Sequence, residues 1–511
     1  MTKINTSPKQ AHFIVADLGK SNKKLILVDE NLQTVREERT SIAIQKEKGM
    51  EWENVDAFLD WMLKLCGAWS QDFNITHLSI SAHGATLGFI DDKGCETMPV
   101  MSYTSDIPNV YLEKFDEELI NDRDLHILSS SPNLGFINLI RQIYCFEQLF
   151  PEAWEKTSHI MPYSSYLGYK LSGVMSSEIS YLGNHSGLWN HHYNNWNLIA
   201  QERGYDQKFP KIKKAWDVLG RLDQTLAKEY NIKGHIKVLT GIHDSNASIL
   251  PYIVKNIPNT TILSTGTWCL AMNMDSDLEL KQSDLDIGAY HNISIYNKAF
   301  KTVGFTGGHE YAVWMKHFEA TSGTAQESDY QKVITEKRLF IYPGIMGGSV
   351  FPGHQAGLML SDHFFPETEI DLHLPKILET ITRQELEAAL NISLALQSQR
   401  ALEATTPSPE HIVVEGGFIK SPFYLGLLAQ LFPKAEVTTS ALQEASAKGA
   451  SCLALANHKG TDPMECQEIA DFKLECVPQT TFQQLTVYQN CFIQSIHKSI
   501  THSNIHFKEA L

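Results

Sequence analysis

Three short turns carry the residue types from which a phosphate cradle is built. They read Asp17-Leu-Gly-Lys-Ser21, Ser264-Thr-Gly-Thr267 and Glu415-Gly-Gly417, and each follows a β-rich run. Glycine lets the backbone approach an anion where a Cβ would block it, and Ser or Thr adds a hydroxyl donor beside the backbone N–H groups. A fourth segment, Gly241–Ala247 (GIHDSNA), sets His243 and Asp244 in a turn between a strand and a helix start. Each turn alone is a weak signal; the order and spacing of the set carry the weight. There is no GxxxxGK[ST] and no GxGxxG opening a helix, so neither a P-loop nor a Rossmann dinucleotide site is expected. No HExxH or other metal-ligand spacing occurs among the 21 histidines, and His191-His192 reads as a solvated loop.

The chain that positions these residues has 511 residues, long enough for two large domains with separate cores. Apolar residues are 43% and charged residues 20%, which excludes disordered and low-complexity classes. There are 43 basic and 59 acidic residues, a net charge of −16 that disfavours nucleic acid and anionic membrane as partners. The eight cysteines have no CxxC pair and read as buried free thiols in a reducing compartment. The polar first ten residues lack a signal-peptide core, and no apolar run reaches 18, so a cytoplasmic protein is expected.

Residues 12–29 read as a hairpin, Phe13–Ala16 and Leu25–Val28 around a polar turn. Val55–Cys66 and Leu134–Phe150 have helical spacing. Residues 260–272 form a second hairpin with a Gly-containing turn, which hints at a duplicated architecture. Thr382–Glu385 and Ser440–Gln443 read as capping boxes, and a further helix is expected near 481–500. The pattern breaks near 250–258, giving domains 1–252 and 253–511.

In this order the motifs resemble those of the FGGY carbohydrate kinases, in the actin-like ATPase superfamily. Asp17-Leu-Gly matches the family's first phosphate motif. Ser79–Gly84 with Phe89–Gly94 resembles its strand, sugar loop and hairpin, and Met161–Gly173 its D-Y-L-x-x-x-L-T-G stretch. Gly241–Ala247 resembles G-x-H-D-x-x-A, and Ser264–Trp268 resembles S-S/T-G-T-W. Gly307–Trp314, Val414–Ser421 and Glu444–Ala450 resemble the nucleotide-side segments. The resemblance implies an α/β fold of two actin-like (ribonuclease H-like) domains. Each would be a mixed five-stranded sheet flanked by helices, with an interdomain cleft for the site.

It also implies transfer of the γ-phosphoryl group of ATP to a sugar hydroxyl. Asp244 would be the general base and Asp17 the Mg²⁺ ligand. Lys20, Ser21, Lys24, Thr265, Gly266 and Thr267 would hold the phosphates. Gly416, Gly417 and Ser421 would line the adenosine pocket, with Gly308 beside it. His83, Gly84, Thr86, Asp106 and His243 would face the sugar. Taken alone, Asp17 and Asp244 read as turn-forming residues; the surrounding motifs reverse that. Lys20 stands open between phosphate ligand and solvated surface lysine, because the family usually has a small or hydroxyl residue there. His83 and His243 stand open between sugar contact and core. Lys23 reads as an exposed neighbour and Trp268 as core packing.

Many family members carry W-x-D-x-R where this chain has Tyr103-Thr-Ser-Asp106-Ile107, so the Arg fork is missing. The style is nearest to kinases of 6-deoxyketoses such as L-fuculose and L-rhamnulose, with a pentulose kinase as runner-up. A sensor that binds without turnover and an actin-like filament former are the competing classes. A homodimer is expected from the frequency of closed two-fold oligomers.

Overall fold

The structure is a computed structural model that describes residues 10–20, 22–47, 49–120, 124–276, 279–345, 349–442 and 444–509. Strand β1 (Ala11–Leu18) is apolar at almost every position because both of its faces are covered. Ile14, Ala16 and Leu18 enter one core with Phe58 and Met62 of α1 (Val55–Trp69). Phe13 and Val15 enter a second core with Ala450 and Leu453 of the helix Ala445–Lys459. Alternation along one strand thus assigns successive residues to opposite sides of the sheet.

Chain contacts divide the molecule into two units, and each segregates its own core. The first unit comprises Met1–Asn256, Tyr290–Ala299 and Gln443–Asp471; the second comprises Ile257–Ala289, Phe300–Leu442 and Phe472–Leu511. The first long segment therefore ends near the sequence boundary at 252. The helix Ala445–Lys459 returns to the first unit, which residue order alone does not reveal.

The first unit holds a seven-stranded sheet. Its strands are β1, β2 (Lys23–Asp29), β3 (Thr34–Thr40), β4 (Asn74–Ala82), β5 (Val218–Arg221), β6 (Lys237–Leu239) and β7 (Ile242–His243). The central order is β3-β2-β1-β4-β6. The pairs β3-β2 and β2-β1 are antiparallel, and β1-β4 and β4-β6 are parallel. β5 extends the edge beyond β6, and β7 pairs with the end of β4.

In the second unit, β8 (Thr260–Thr265), β9 (Cys269–Asn273), β10 (Ala299–Phe305), β11 (His411–Gly416) and β12 (Glu436–Ser440) repeat that plan. Their order is β10-β9-β8-β11-β12, with β8-β11 and β11-β12 parallel. β13 (Leu474–Cys476) adds an antiparallel edge strand. The same order and sense of five strands in each unit is the duplication that the two hairpins suggested. The added edge strands make both sheets wider than the five expected.

The helices follow their capping chemistry. At the start of Arg383–Thr405, Glu385 N–H donates to Thr382 Oγ1 at 3.1 Å and Thr382 N–H donates to Glu385 Oε2 at 2.8 Å. No such box forms from Ser440: that serine ends β12, and the helix starts at Ala445 after Glu444, which has φ +56°. Gln443, the other member of the expected box, lies outside the described residues. The expected helix at 134–150 breaks into Gly135–Ile137 and Leu139–Leu149, where the buried Asn138 side chain bonds backbone groups of Pro132, Leu134 and His185. Cys66, Cys145, Cys269, Cys452 and Cys466 are buried, whereas Cys95 and Cys476 are exposed. Among the described residues no helix is long and apolar enough to cross a membrane.

A surface ion cluster of the second unit gives a pH test. His317 Nε2 lies 2.6 Å from Glu367 and its Nδ1 2.7 Å from Asp371. Partial burial opposes the imidazolium, but bonds to Asp371 and Glu367 prevail and raise its pKa. Its stabilising contribution is fully present below the unfolded value of about 6.5 and is lost as pH rises through the higher folded value. Urea denaturation should show wild type losing its advantage over His317→Gln across that window. A constant difference from pH 5 to 9 would contradict the ion cluster.

Candidate active site

At the carboxyl end of β1, Asp17 is buried and pairs in register with Lys24 of β2. Ser446 Oγ donates to Asp17 Oδ2 at 2.9 Å, and Lys24 Nζ stands 4.0 Å from the same oxygen. The Lys24 ammonium also contacts Glu444, whose other oxygen accepts from Arg39 at 3.1 Å. Burial pushes the Asp17 carboxyl up, and Ser446 and Lys24 only partly restrain it.

Asp244 opens the helix Asp244–Lys255, directly after β7. It is half-buried, with 30% of its side chain exposed, so the carboxylate is reachable. Desolvation by the surrounding protein, followed by repulsion from Asp17, raises its pKa to about 7. Ser245 N–H donates to Asp244 Oδ1 at 2.6 Å, the restraint that the helix start supplies. His243 caps this helix: its Nδ1 accepts from Ser245 N–H at 3.1 Å, and the Asn184 side-chain amide stands 2.9 Å from Nδ1 and 3.2 Å from Nε2. The ring is therefore neutral, with its proton on Nε2, and burial holds its pKa well below the usual histidine value.

His83, at the end of β4, is also buried, and burial lowers its pKa to about 4. Its Nδ1–H donates to Gly84 O at 3.1 Å, which leaves Nε2 a buried acceptor without a protein partner. Gly84 passes so close to the imidazoles that a Cβ there would lie 2.3 Å from His243 Nε2. Thr86 is buried, and both its N–H and its carbonyl bond the Tyr181 hydroxyl. Asp106 is exposed.

The lysines differ from expectation. Lys23 is buried rather than exposed, because its ammonium bonds Gly19 O at 2.7 Å and Lys20 O at 2.9 Å and so closes the turn. Lys20 Nζ bonds Glu53 Oε1 at 2.5 Å and Ser102, and stands 5.0 Å from the Tyr103 ring centre. Ser21 lies outside the described residues. His191 is buried beside His291 rather than solvated, and its pKa is held down to about 3 by burial.

The second unit brings the other glycine turns together. Thr265 Oγ1 bonds Glu415 O and accepts Phe418 N–H at 3.0 Å, tying β8 to the turn after β11. Gly416 has φ +88°, and a Cβ there would lie 2.0 Å from Thr265 O. Gly308, at the start of the helix Gly307–His317, would bring a Cβ within 2.0 Å of Gly266 O. Gly266, Thr267, Gly416 and Gly417 are exposed, so their backbone is open to a ligand. Ser421 caps the helix Pro422–Leu431, accepting Tyr424 N–H at 3.4 Å. Phe418 is half-buried between Tyr311, ring centres 6.0 Å apart, and Tyr424, 5.0 Å apart. Trp268 is 45% exposed, not core as its size suggested.

Among the described residues no group of three or more His, Cys, Asp or Glu side chains could hold a metal ion, so the oxygen donors here are the two carboxylates of Asp17 and Asp244. Mg²⁺ takes one or two carboxylates and keeps several waters. Their raised pKa values record unneutralised acid that a cation would relieve. Sequence reasoning missed Ser446 and Glu444 as partners of this group, although both lie in the quoted segment 444–450. It missed Glu53 and Asn184 entirely, because neither sits in a turn of recognisable composition.

The family description "FGGY family of carbohydrate kinases, N-terminal domain" matches residues 12–251, and "Carbohydrate kinase FGGY, C-terminal domain" matches 258–463. A solved carbohydrate kinase from Novosphingobium aromaticivorans has TM-score 0.79 at 22% identity, covering 96% of this chain and 99% of its own. A ligand-bound xylulose kinase from Lactobacillus acidophilus has TM-score 0.76 at 16% identity, covering 97% and 100%. Plasmodium falciparum glycerol kinase with ADP has TM-score 0.76 at 12% identity, covering 96% and 98%. At these identities the likeness is one of fold. No curated protein matches the chain in sequence.

The close packing at Gly84 predicts that Gly84→Ala costs about 1–3 kcal/mol in urea denaturation, as overpacking does. Wild-type stability in that variant would mean that the imidazoles are not held against this glycine.

Proposed function

The chain belongs to the FGGY family of carbohydrate kinases, and from that premise we propose that it transfers the γ-phosphoryl group of ATP to a hydroxyl of an uncharged ketose, with Asp244 as general base. The observation that carries this reading is the place of the Asp244 carboxylate, 30% exposed at the helix start directly after β7 and bonded by Ser245 N–H, where burial and Asp17 push its pKa up to about 7. A base poised near the working pH combines the right protonation state with a useful drive to accept a proton.

Asp244 takes the proton of the attacking hydroxyl as its oxygen bonds the γ-phosphorus and the bond from that phosphorus to the bridging oxygen breaks, releasing ADP. Neutral His243, fixed by Ser245 N–H and Asn184, packs beside it without competing for that proton. Asp17, Ser446 and Lys24 hold one carboxylate in place on the phosphate side. Mg²⁺, where bound, offsets charge on the transferring phosphoryl group, and Asp17 is the residue that would hold it. Open backbone at Gly266, Thr267, Gly416 and Gly417 supports a nucleotide role for those turns. The aromatic pair Tyr311 and Phe418 offers an apolar wall for a base.

For the acceptor, the style of segments 79–94 and 134–190 supports a 6-deoxyketose such as L-fuculose or L-rhamnulose. A pentulose is the second reading, supported by fold likeness to xylulose kinases. ADP release should be measured with Mg-ATP and L-fuculose, L-rhamnulose, D- and L-xylulose, D- and L-ribulose, D-fructose and glycerol. The expected result is sugar-dependent turnover in the kinase range, roughly 1–100 s⁻¹, on at least one ketose. Asp244→Ala should lower kcat by about 10²–10⁴-fold while the protein remains folded. ADP release that ignores every sugar, or an Asp244→Ala rate near wild type, would overturn the proposal.

A further inference from the structure

Glu178 lies outside every turn that the proposed reaction uses, yet its carboxylate is wholly buried. It ends the two-residue strand Ser177–Glu178 and caps the short helix Ile179–Leu182. Its Oε1 accepts Ser180 N–H at 3.0 Å, and its Oε2 accepts Ser180 Oγ–H at 2.5 Å and Tyr181 N–H at 3.1 Å. Burial pushes this carboxyl up to about 7, against the lowering effect of those bonds. Ser, Thr, Asp and Asn are the ordinary caps of a helix, and a single helical turn does not by itself account for a buried acid.

The groups beyond the capped turn do account for it. His243 N–H donates to Ser180 Oγ at 3.5 Å, and Asn246 Nδ2 donates to Ser180 O at 3.3 Å. These two buried residues bracket Asp244 and Ser245 at the start of the helix Asp244–Lys255. One hydroxyl thus gives its hydrogen to Glu178 and a lone pair to the backbone just before Asp244.

We propose that Glu178 is a positioning residue for phosphoryl transfer: through Ser180 it fixes the start of the helix Asp244–Lys255, and with it the Asp244 carboxylate. This rests on the reading of Asp244 as general base. An aspartate side chain is short, so a displaced helix start displaces its carboxylate directly. A base must come within about 2.6–3.2 Å of the proton it takes, and a misplacement of about 1 Å can cost about 10²-fold in rate. All three partners of Glu178 donate, and an ionised carboxylate accepts from all three. A glutamine of the same shape brings donors of its own, and leaves at least one backbone N–H facing an N–H.

The test is steady-state kinetics of the full chain on the best ketose of the panel, below the melting temperature of each variant. Glu178→Gln should lower kcat about tenfold to a hundredfold. Ser180→Ala keeps both backbone bonds to Glu178 and the Asn246 bond, and removes only the hydroxyl bridge. It should lower kcat by less, with the KM values for sugar and Mg-ATP within about twofold of wild type. In an Asp244→Ala background either substitution should change the residual rate by less than about twofold, since residues that act as a unit are not additive. Should Glu178→Gln fail to fold, Ser180→Ala carries the same comparison. An equal loss of rate with and without Asp244 would overturn the proposal, because Glu178 would then act elsewhere. A wild-type kcat in both folded variants, with only their melting lowered, would leave Glu178 a structural cap and overturn it as well. Absence of sugar-dependent turnover in wild type, or an Asp244→Ala rate near wild type, is a failure of the kinase reading itself and would remove this inference with it.

Discussion

Two carboxylates held near one another in a desolvated environment cannot both stay comfortably ionised, and the first unit is organised around that constraint. Asp17 ends β1 and Asp244 follows β7, so parallel strands on either side of β4 deliver both acids to one end of the sheet. Burial raises both pKa values, and Asp17 raises that of Asp244 further. The surrounding groups manage the cost without cancelling it. Ser446 and Lys24 restrain Asp17, while the Ser245 amide and hydroxyl restrain Asp244. Two chemically identical side chains are thereby given different surroundings by their neighbours, one beside a hydroxyl and an ammonium, the other at a helix start with a neighbouring carboxylate.

The rest of the architecture serves close approach. Gly449 lets the helix Ala445–Lys459 press against the start of the helix Asp244–Lys255, since a Cβ there would lie 1.9 Å from Ala247 O. That contact is what presents Ser446 to Asp17. In the second unit, Thr265 ties the two turns together through Glu415 O and Phe418 N–H, leaving exposed backbone at their tips. The same five-strand order underlies both units, so one plan has been used twice: to present acids in one unit and open amides in the other.

Much of this was legible in the residues. Apolar runs gave both hairpins, and the Gly-containing turns marked the strand ends that carry the candidate site residues. The Thr382–Glu385 box located the start of the long buried helix. Long-range contacts account for what was not legible. Glu444 and Ser446 approach Asp17 across more than 400 residues, a distance that no local pattern encodes. Lys23 looked like one of two exposed lysines, but its ammonium is folded back onto the Gly19 and Lys20 carbonyls. Trp268 looked like core because of its size, yet it sits at a hairpin tip where there is no core to enter. The Ser440–Gln443 box failed because a strand already claimed Ser440.

The most direct test of the account is a titration of the Asp244 carboxyl by ¹³C NMR in the ligand-free protein, in wild type and in Asp17→Asn. The account predicts a wild-type midpoint near pH 7. It also predicts a lower midpoint in Asp17→Asn, because the repelling charge is gone while burial remains. A wild-type midpoint near 3.9, the ordinary value for aspartate, with no response to Asp17→Asn, would contradict both the coupling of the two acids and the use of Asp244 as a base poised for proton transfer.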